Sequence, residues 1–353
     1  MPLEPIHRRV FDEPDRAKVQ ESVARAVEAD PDHFIERYRR FERSLGARYV
    51  SADLFKETFE TYNASNATRN RYNACVHNAA AVLASEYLRR AIHAQDAPVR
   101  DRVILLTGIP GAGKTSSVLE VGEIPANIRV IYEGQLSKPE TAISKVQQVL
   151  DGGLKPVIVV VHVKPEQALE NTLKRFAELG RGAGIGLMAS IQGELPDSLE
   201  QVRQRFGLGV TLQIADRRVF HEPKRLAGWK HLSVLRSEGH HEHIRHRLTQ
   251  ALDHLRNTGR VQRDAYIQAG GLPARSWDRE VDVPSHRGDE AARDGRNRAP
   301  ENRQEALLTP PAPELTPQKQ QQLDRNQSER SPENDLGRES DFGRDLPDDD
   351  LSL

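Results

Sequence analysis

Apolar residues at intervals of three and four positions mark amphipathic helices in the first part of the chain. The intervals predict helices over residues 15–29 and 32–45, separated by the helix-breaking pair Asp30-Pro31. A third helix is predicted over residues 74–91, where the composition is rich in alanine and leucine. We interpret residues 1–46 as an N-terminal helical extension.

Short apolar runs follow, and they alternate with stretches that are compatible with helices. This alternation is typical of an α/β fold, in which a mainly parallel sheet is covered by helices on both faces. We therefore predict one α/β domain over residues 47–275. The strand candidates are residues 47–52, Arg102–Thr107, 128–132, 157–161 and 210–214.

The pattern changes near residue 276. From residue 279 to the end the chain has one aromatic residue, Phe342, and 8 of its 21 prolines. Such a segment cannot bury enough apolar surface to offset the entropy of ordering it, so we predict a disordered tail over residues 276–353. Its acidic end, DFGRDLPDDDLSL, is compatible with binding a partner, but a solvated tail without a specific role is favoured on composition.

Composition and charge exclude several classes of protein. The 353 residues include 51 Lys and Arg against 52 Asp and Glu, and this balance argues against a function based on a basic nucleic-acid-binding surface. The single cysteine, Cys75, cannot form an intramolecular disulfide, and the first residues lack the apolar core of a signal peptide. The apolar run at residues 157–161, like every other apolar run in the chain, is too short to cross a membrane. We expect a cytoplasmic setting without a membrane partner.

The strongest chemical signal is a phosphate-binding loop, GIPGAGKT, between a strand candidate and a helix-compatible stretch. Its glycines allow backbone N–H groups to surround phosphates. Lys114 is expected to reach the β- and γ-phosphates of ATP, and the Thr115 hydroxyl is expected to bind the accompanying Mg²⁺. The loop comprises Gly108, Ile109, Pro110, Gly111, Ala112, Gly113, Lys114 and Thr115.

The residues around this motif favour a small kinase. Many ATPases carry an acid after a second apolar strand, but here His162 follows the run VIVVV. Arg175 is predicted to end a helix, and Arg181 lies in a glycine-rich run that extends to Gly186. These arginines are suited to bracket a phosphoryl group beside a lid that opens and closes. A surface helix followed by a flexible loop explains the same residues equally well.

Several motifs together resemble the zeta-toxin family of bacterial kinases, which phosphorylate UDP-N-acetylglucosamine. The resemblance covers roughly residues 47–218, and it implies a P-loop kinase fold, ATP and Mg²⁺ as cofactors, a UDP-sugar as substrate and a separate antitoxin protein as partner. The matching stretches are the phosphate loop, DLFK at residues 53–56, IYEGQL at 131–136, the arginines Arg175 and Arg181, ELPDSLEQV at 194–202 and the VTLQIADR strand after it.

The resemblance also implies residue roles. It gives Asp53 the role of the base that orients and deprotonates the acceptor hydroxyl, and it places Glu133 on the substrate or beside Asp53. Gln135 stands where the family has threonine. Asp53 precedes Lys114 by 61 residues, whereas in the family the phosphate loop comes first. We expect both residues to meet at the carboxyl ends of parallel strands. As an alternative, Asp53 is only a helix N-cap.

Other interpretations stay open from the sequence. One is a kinase for a different hydroxyl, and another is a nucleotide-gated interaction protein of a mobile element. His240, His241, His243 and His246 favour a solvated helix surface over a zinc site, because no second ligand pair is evident. His77 lies among small residues, where a core position is favoured over a place in the binding pocket.

Overall fold

The computed structural model of the protein describes residues 3–94, 100–119, 124–219 and 222–272. The predicted tail over residues 276–353 lies outside the described residues, as does the partner-binding segment considered at its acidic end.

A six-stranded sheet forms the centre of the described chain, with the strand order β1-β3-β2-β4-β5-β6. The first five strands pair in parallel, and β6 pairs antiparallel with β5. All five strand candidates are confirmed, with small differences at their ends. The sixth was missed because its sequence, KRLA, is largely exposed and has no buried apolar run. The strands are β1 (Tyr49–Ser51), β2 (Arg102–Thr107), β3 (Ile128–Glu133), β4 (Lys155–His162), β5 (Thr211–Asp216) and β6 (Lys224–Ala227).

Helices surround this sheet, and the described part of the chain contains twelve α-helices. None of them combines the length and apolar composition that a bilayer crossing requires. They are α1 (Pro14–Ala29), α2 (Pro31–Arg39), α3 (Ala52–Phe55), α4 (Glu60–Asn63), α5 (Asn66–His93), α6 (Lys114–Leu119), α7 (Pro139–Asp151), α8 (Pro165–Leu179), α9 (Ile185–Phe206), α10 (Leu232–Arg236), α11 (His241–Asn257) and α12 (Arg263–Gln268).

Both faces of the central strands are buried, as expected for a parallel sheet between helical layers. On β2, Leu105 belongs to the main apolar cluster, and its neighbour Ile104, which points to the other face, is also inaccessible. The main cluster includes residues of α5, α7 and α9, and Val27 of α1 and Ile35 of α2 belong to it as well. The two N-terminal helices therefore share one core with the sheet.

The predicted helix over residues 32–45 is too long at its carboxyl end. Helix α2 ends at Arg39, and a separate 3₁₀ turn covers Glu42–Ser44. Leu45 and Ala47 then adopt left-handed backbone conformations, with φ of 51° and 66°, which a continuous right-handed helix excludes. This turn redirects the chain into β1.

Tyr38 of α2 fixes the position of β1. Its hydroxyl donates a hydrogen bond to the carbonyl of Tyr49 at 2.7 Å and accepts one from the N–H of Ser51 at 3.1 Å. The ring stacks on Phe55 with 3.9 Å between centroids. Because Phe55 and Ser51 flank Asp53, this buried tyrosine holds the segment that carries the candidate base.

We predict that Tyr38→Phe lowers the free energy of unfolding by about 1–3 kcal/mol, because it leaves a buried N–H and a buried carbonyl without their partner. Urea unfolding measures the change. Tyr72→Phe is the matched control, since its hydroxyl donates to the partly exposed Asp15, and a change within about 0.5 kcal/mol is expected there. Equal effects of the two substitutions would contradict the role given to Tyr38.

Candidate active site

The phosphate loop has the backbone that its glycines predict. Gly108, Gly111 and Gly113 have φ of 141°, 85° and 84°, values that side chains disfavour. A Cβ at Gly111 would lie 2.2 Å from the carbonyl oxygen of Ala168, and one at Gly108 would lie 2.4 Å from that of Val161. The loop therefore lies directly against α8 and β4, where only glycine fits.

Lys114 begins α6 and turns its ammonium group back into the loop. The Nζ atom donates hydrogen bonds to the carbonyl oxygens of Gly108 at 3.0 Å and Ile109 at 3.2 Å. It also lies 3.7 Å from Oε1 of Glu133. The buried ammonium is thus held at the centre of the loop, beside a carboxylate.

Glu133 is bound to the phosphate loop. Its Oε2 accepts a hydrogen bond from the Thr115 hydroxyl at 3.2 Å and another from the Tyr49 hydroxyl, and the Tyr49 hydroxyl also lies 3.2 Å from Oγ1 of Thr115. Among the contacts described, the Glu133 carboxylate touches Lys114, Thr115 and Tyr49 and not Asp53. Its contact with a substrate stays a prediction.

The sheet order explains how Glu133 reaches the loop. Strand β3 lies between β1 and β2, and Glu133 is level with Ser51 on one side and Leu106 on the other. An acid is therefore present at the tip of a strand beside β2. It follows β3, whereas the ATPase pattern places it after the strand that corresponds to β4. At the tip of β4, His162 is buried, and burial lowers its pKa to about 4, so the imidazole is neutral at pH 7.

Asp53 lies in the first turn of α3, directly after β1. Its carboxylate accepts a hydrogen bond from Lys56 at 2.9 Å and another from Arg175 at 3.0 Å. The N-cap of α3 is Ser51, and no side-chain capping bond is present there, so the interpretation of Asp53 as only an N-cap is wrong. Burial raises the pKa of Asp53, but the charges of Lys56 and two arginines outweigh it and hold this pKa well below its usual range.

The two arginines converge on Asp53 from the far side of the cleft. Arg175 lies within α8, which continues to Leu179, so the prediction that the helix ends at Arg175 is wrong. One turn earlier, Asn171 donates a hydrogen bond to the carbonyl of Gly111 at 2.9 Å. Residues four apart share a helix face, so the same face of α8 contacts the phosphate loop and Asp53.

Arg181 is buried rather than exposed on a loop. Its guanidinium donates to the backbone carbonyl of Asp53 at 3.3 Å and lies 3.5 Å from the Glu57 carboxylate. The glycine-rich segment around it is short, because Gly186 already belongs to α9. One end packs against Asn66, and at the other the N–H of Ile185 donates to the carbonyl of Ala269. The alternative of a surface helix and a flexible loop is wrong for Arg181.

Most of the predicted residues line two adjoining cavities, whereas Gly108, Ile109 and Ala112 of the loop line neither. The first, of about 410 Å³, contains Lys114, Thr115, Glu133 and both arginines together with Asp53. The second, of about 500 Å³, also contains Asp53 and both arginines, and it extends away from the phosphate loop past His77. Asp53, Gly111, Arg175 and Arg181 form the boundary between the two cavities.

Sequence reasoning missed several residues of the first cavity. Tyr49 holds Glu133 and Thr115, and burial and the adjacent Glu133 raise its pKa well above the usual value, so its hydroxyl stays a donor. Arg43 pairs with Glu57, the partner of Arg181. Tyr49 ends up here because of the β1–β3 pairing, and no local motif marked it. No sequence motif marked Arg43 or Glu57 either.

No metal site is formed by the histidines of α11. Within the residues that the structure describes, no group of three or more His, Cys, Asp or Glu side chains is arranged to hold a metal ion. The segment with His240, His241, His243 and His246 lies at the start of α11. His77, in contrast, lines the second cavity, and burial with the nearby Lys56 lowers its pKa to about 4. The sequence favoured a core position for His77, but the structure places this residue in the wall of the second cavity.

Comparison with known proteins finds no protein-family model and no curated protein that matches this sequence significantly.

We predict that Gly111→Ala destabilises the protein by about 1–3 kcal/mol, because the methyl group would clash with the carbonyl of Ala168 in a strained backbone. Gly186→Ala, in an open position on α9, should instead stabilise by about 0.5–1 kcal/mol. Urea unfolding of both variants checks the pair. A Gly111→Ala protein as stable as the parent would show that the loop is not packed against α8.

Proposed function

We propose that this protein is an ATP- and Mg²⁺-dependent kinase that transfers the γ-phosphate to a hydroxyl group of a small-molecule acceptor. One observation carries the proposal. Asp53 and Lys114, which are 61 residues apart in the sequence, line one cavity at the carboxyl ends of parallel strands. A base for the acceptor and a cation for the phosphates thus face the same space.

The nucleotide side of the cleft suits ATP with Mg²⁺. The phosphate loop would supply its backbone N–H groups and the ammonium group of Lys114 to the phosphates. Mg²⁺ prefers oxygen ligands, and the Thr115 hydroxyl and the Glu133 carboxylate provide them 3.2 Å apart. These two side chains would hold the ion, directly or through water, and the ion would neutralise phosphate charge when it is bound.

The second cavity suits a polar acceptor. Three of its lining residues have a buried polar atom without a hydrogen-bond partner: Oγ1 of Thr172, Nε of Arg181 and Oε1 of Gln268. Buried polar groups in proteins are normally satisfied, because leaving one unpaired costs about 1–3 kcal/mol. These side chains and the charged groups beside them give the cavity a polar wall, which suits a polar acceptor.

The transfer requires few protein groups. The acceptor oxygen forms a bond to the γ-phosphorus, the bond from that phosphorus to the β,γ-bridging oxygen breaks, and the hydroxyl proton passes to the Asp53 carboxylate. With its low pKa, Asp53 is a weak base, so it orients the hydroxyl first and takes the proton late, as the new bond lowers the pKa of the acceptor oxygen. Arg175, which is one third exposed, is placed to move from Asp53 onto the phosphoryl group.

The resemblance to the zeta-toxin family supports UDP-N-acetylglucosamine as the acceptor and a separate antitoxin protein as a partner. Gln135, which stands in the place of a family threonine, lines the acceptor cavity. Glutamine instead of threonine at this position would allow the cavity to select a different acceptor. A panel of UDP-sugars and other hydroxyl compounds, incubated with labelled ATP, distinguishes these acceptors, and label that remains in ATP and free phosphate would favour the nucleotide-gated interaction protein.

We predict that Asp53→Asn keeps ATP binding but slows transfer to the acceptor by about 10²- to 10⁴-fold, because an amide cannot accept the proton. The measurement is transfer of label from ATP, with nucleotide affinity measured in parallel. Glu60→Gln is the matched control, since Glu60 is an exposed acid that pairs with Arg37 outside both cavities. A nucleotide-gated switch would be indifferent to Asp53→Asn, and that result would reject the kinase.

We predict that Glu133→Gln raises the Mg²⁺ concentration needed for half-maximal transfer by about 10- to 100-fold, because it removes a charged oxygen beside Thr115. Titration of the transfer reaction with Mg²⁺ at saturating ATP measures this shift. Thr115→Ala should act in the same direction. If Glu133 instead served the acceptor, the acceptor KM would change and the Mg²⁺ dependence would not.

A further inference from the structure

A segment without regular secondary structure ahead of α1, residues 6–9, is bound to the domain along its length; we name it the N-terminal strap. Ile6 is buried in the main core. Asn78 of α5 donates a hydrogen bond to the carbonyl of His7 at 2.8 Å. The side chain of Gln20 accepts a bond from the N–H of Arg9 at 2.9 Å and donates one to its carbonyl at 2.8 Å.

The clamp from Gln20 fixes the backbone of Arg9. Gln20 is 6% exposed, so its amide depends on these two bonds for partners. Arg8 pairs with Glu21 and Glu28 on α1, whereas Arg9 lines the acceptor cavity. The strap therefore contributes one wall of that cavity.

The cavity carries an excess of positive charge that the protein does not neutralise. Five cationic side chains line it against two carboxylates. Lys56 and the two arginines have carboxylate partners in Asp53 and Glu57. Among the described residues, Arg9 and Lys138 have no ion-pair partner. Glu194, the second carboxylate, accepts a hydrogen bond from Ser190.

We propose that Arg9 binds an anionic phosphate group of the acceptor, away from the hydroxyl that reacts at Asp53. This inference rests on the proposed kinase function, and it adds a residue that no motif in the sequence marked. A guanidinium on a clamped backbone gives two parallel hydrogen bonds to phosphate oxygens, and little entropy is lost on binding because the strap is already ordered. Gln20 acts as a positioning residue for Arg9.

The test measures binding of UDP and of uridine to protein saturated with ADP and Mg²⁺, so that the phosphate loop is occupied. Calorimetry on Arg9→Ala should give a Kd for UDP raised about tenfold or more, with uridine binding unchanged. Arg9→Lys should lie between the two, because it keeps the charge and loses the paired donors. Arg8→Ala is the matched control on the same strap, and its Kd for UDP should stay within about twofold of the parent.

Three results would overturn the inference. Arg9→Ala could bind UDP as tightly as the parent, it could lose UDP and uridine equally, which indicates a structural role, or the parent itself could bind neither compound. Transfer of label to UDP-N-acetylglucosamine is measured separately. Active transfer with the same acceptor KM in Arg9→Ala rejects the role of Arg9 and keeps the kinase, whereas absent transfer to every acceptor rejects the kinase itself.

Discussion

The ion pair between Asp53 and Arg175 joins two parts of the chain that are 122 residues apart, and the geometry of the cleft depends on it. Asp53 follows β1, and Arg175 lies on the helix that also contacts the phosphate loop through Asn171. Lys56 is almost fully buried against the same carboxylate. Truncation of the Asp53 side chain would leave a buried ammonium with only Asn73 as a hydrogen-bond partner among the described contacts, which is costly in a low-dielectric site. One carboxylate thus both maintains the cleft and faces the space where an acceptor would react.

The position of a strand in this sheet is independent of its position in the sequence. Strand β1 comes before the phosphate loop in the chain, but β3 lies between β1 and β2 in the sheet, and all three tips end at one edge. Parallel strands present their carboxyl ends together whichever one is synthesised first. The exchanged order relative to the zeta-toxin pattern is therefore physically compatible with one site, and Glu133 at the middle strand contacts the residues of the phosphate loop.

In the proposed kinase, the first cavity would take the nucleotide and the second would take the acceptor, and the two cavities differ in charge. On the nucleotide side, Glu133 offsets the ammonium of Lys114 and leaves an oxygen pair suited to a hard cation. In the second cavity, His77 is neutral, and Arg9 and Lys138 have no ion-pair partner among the residues that the structure describes, so the wall is positive. Anionic groups on a substrate would be attracted to that wall, while Asp53 at the boundary stays ionised because positive charges surround it. This difference in charge between the two cavities would orient the substrate.

The sequence by itself determined the five parallel strands and the phosphate loop, because buried strands read as continuous apolar runs and because the loop needs glycine where φ is positive. The sequence also identified Asp53, Arg175 and Arg181 as candidate site residues, but it did not determine which residues they pair with. Only the tertiary structure decided that Glu133 binds Thr115, that Arg181 is buried on Glu57, and that Arg9 reaches the second cavity. Each of these contacts joins residues distant in sequence, so sheet order and helix packing fix them, and no local pattern of residues encodes either.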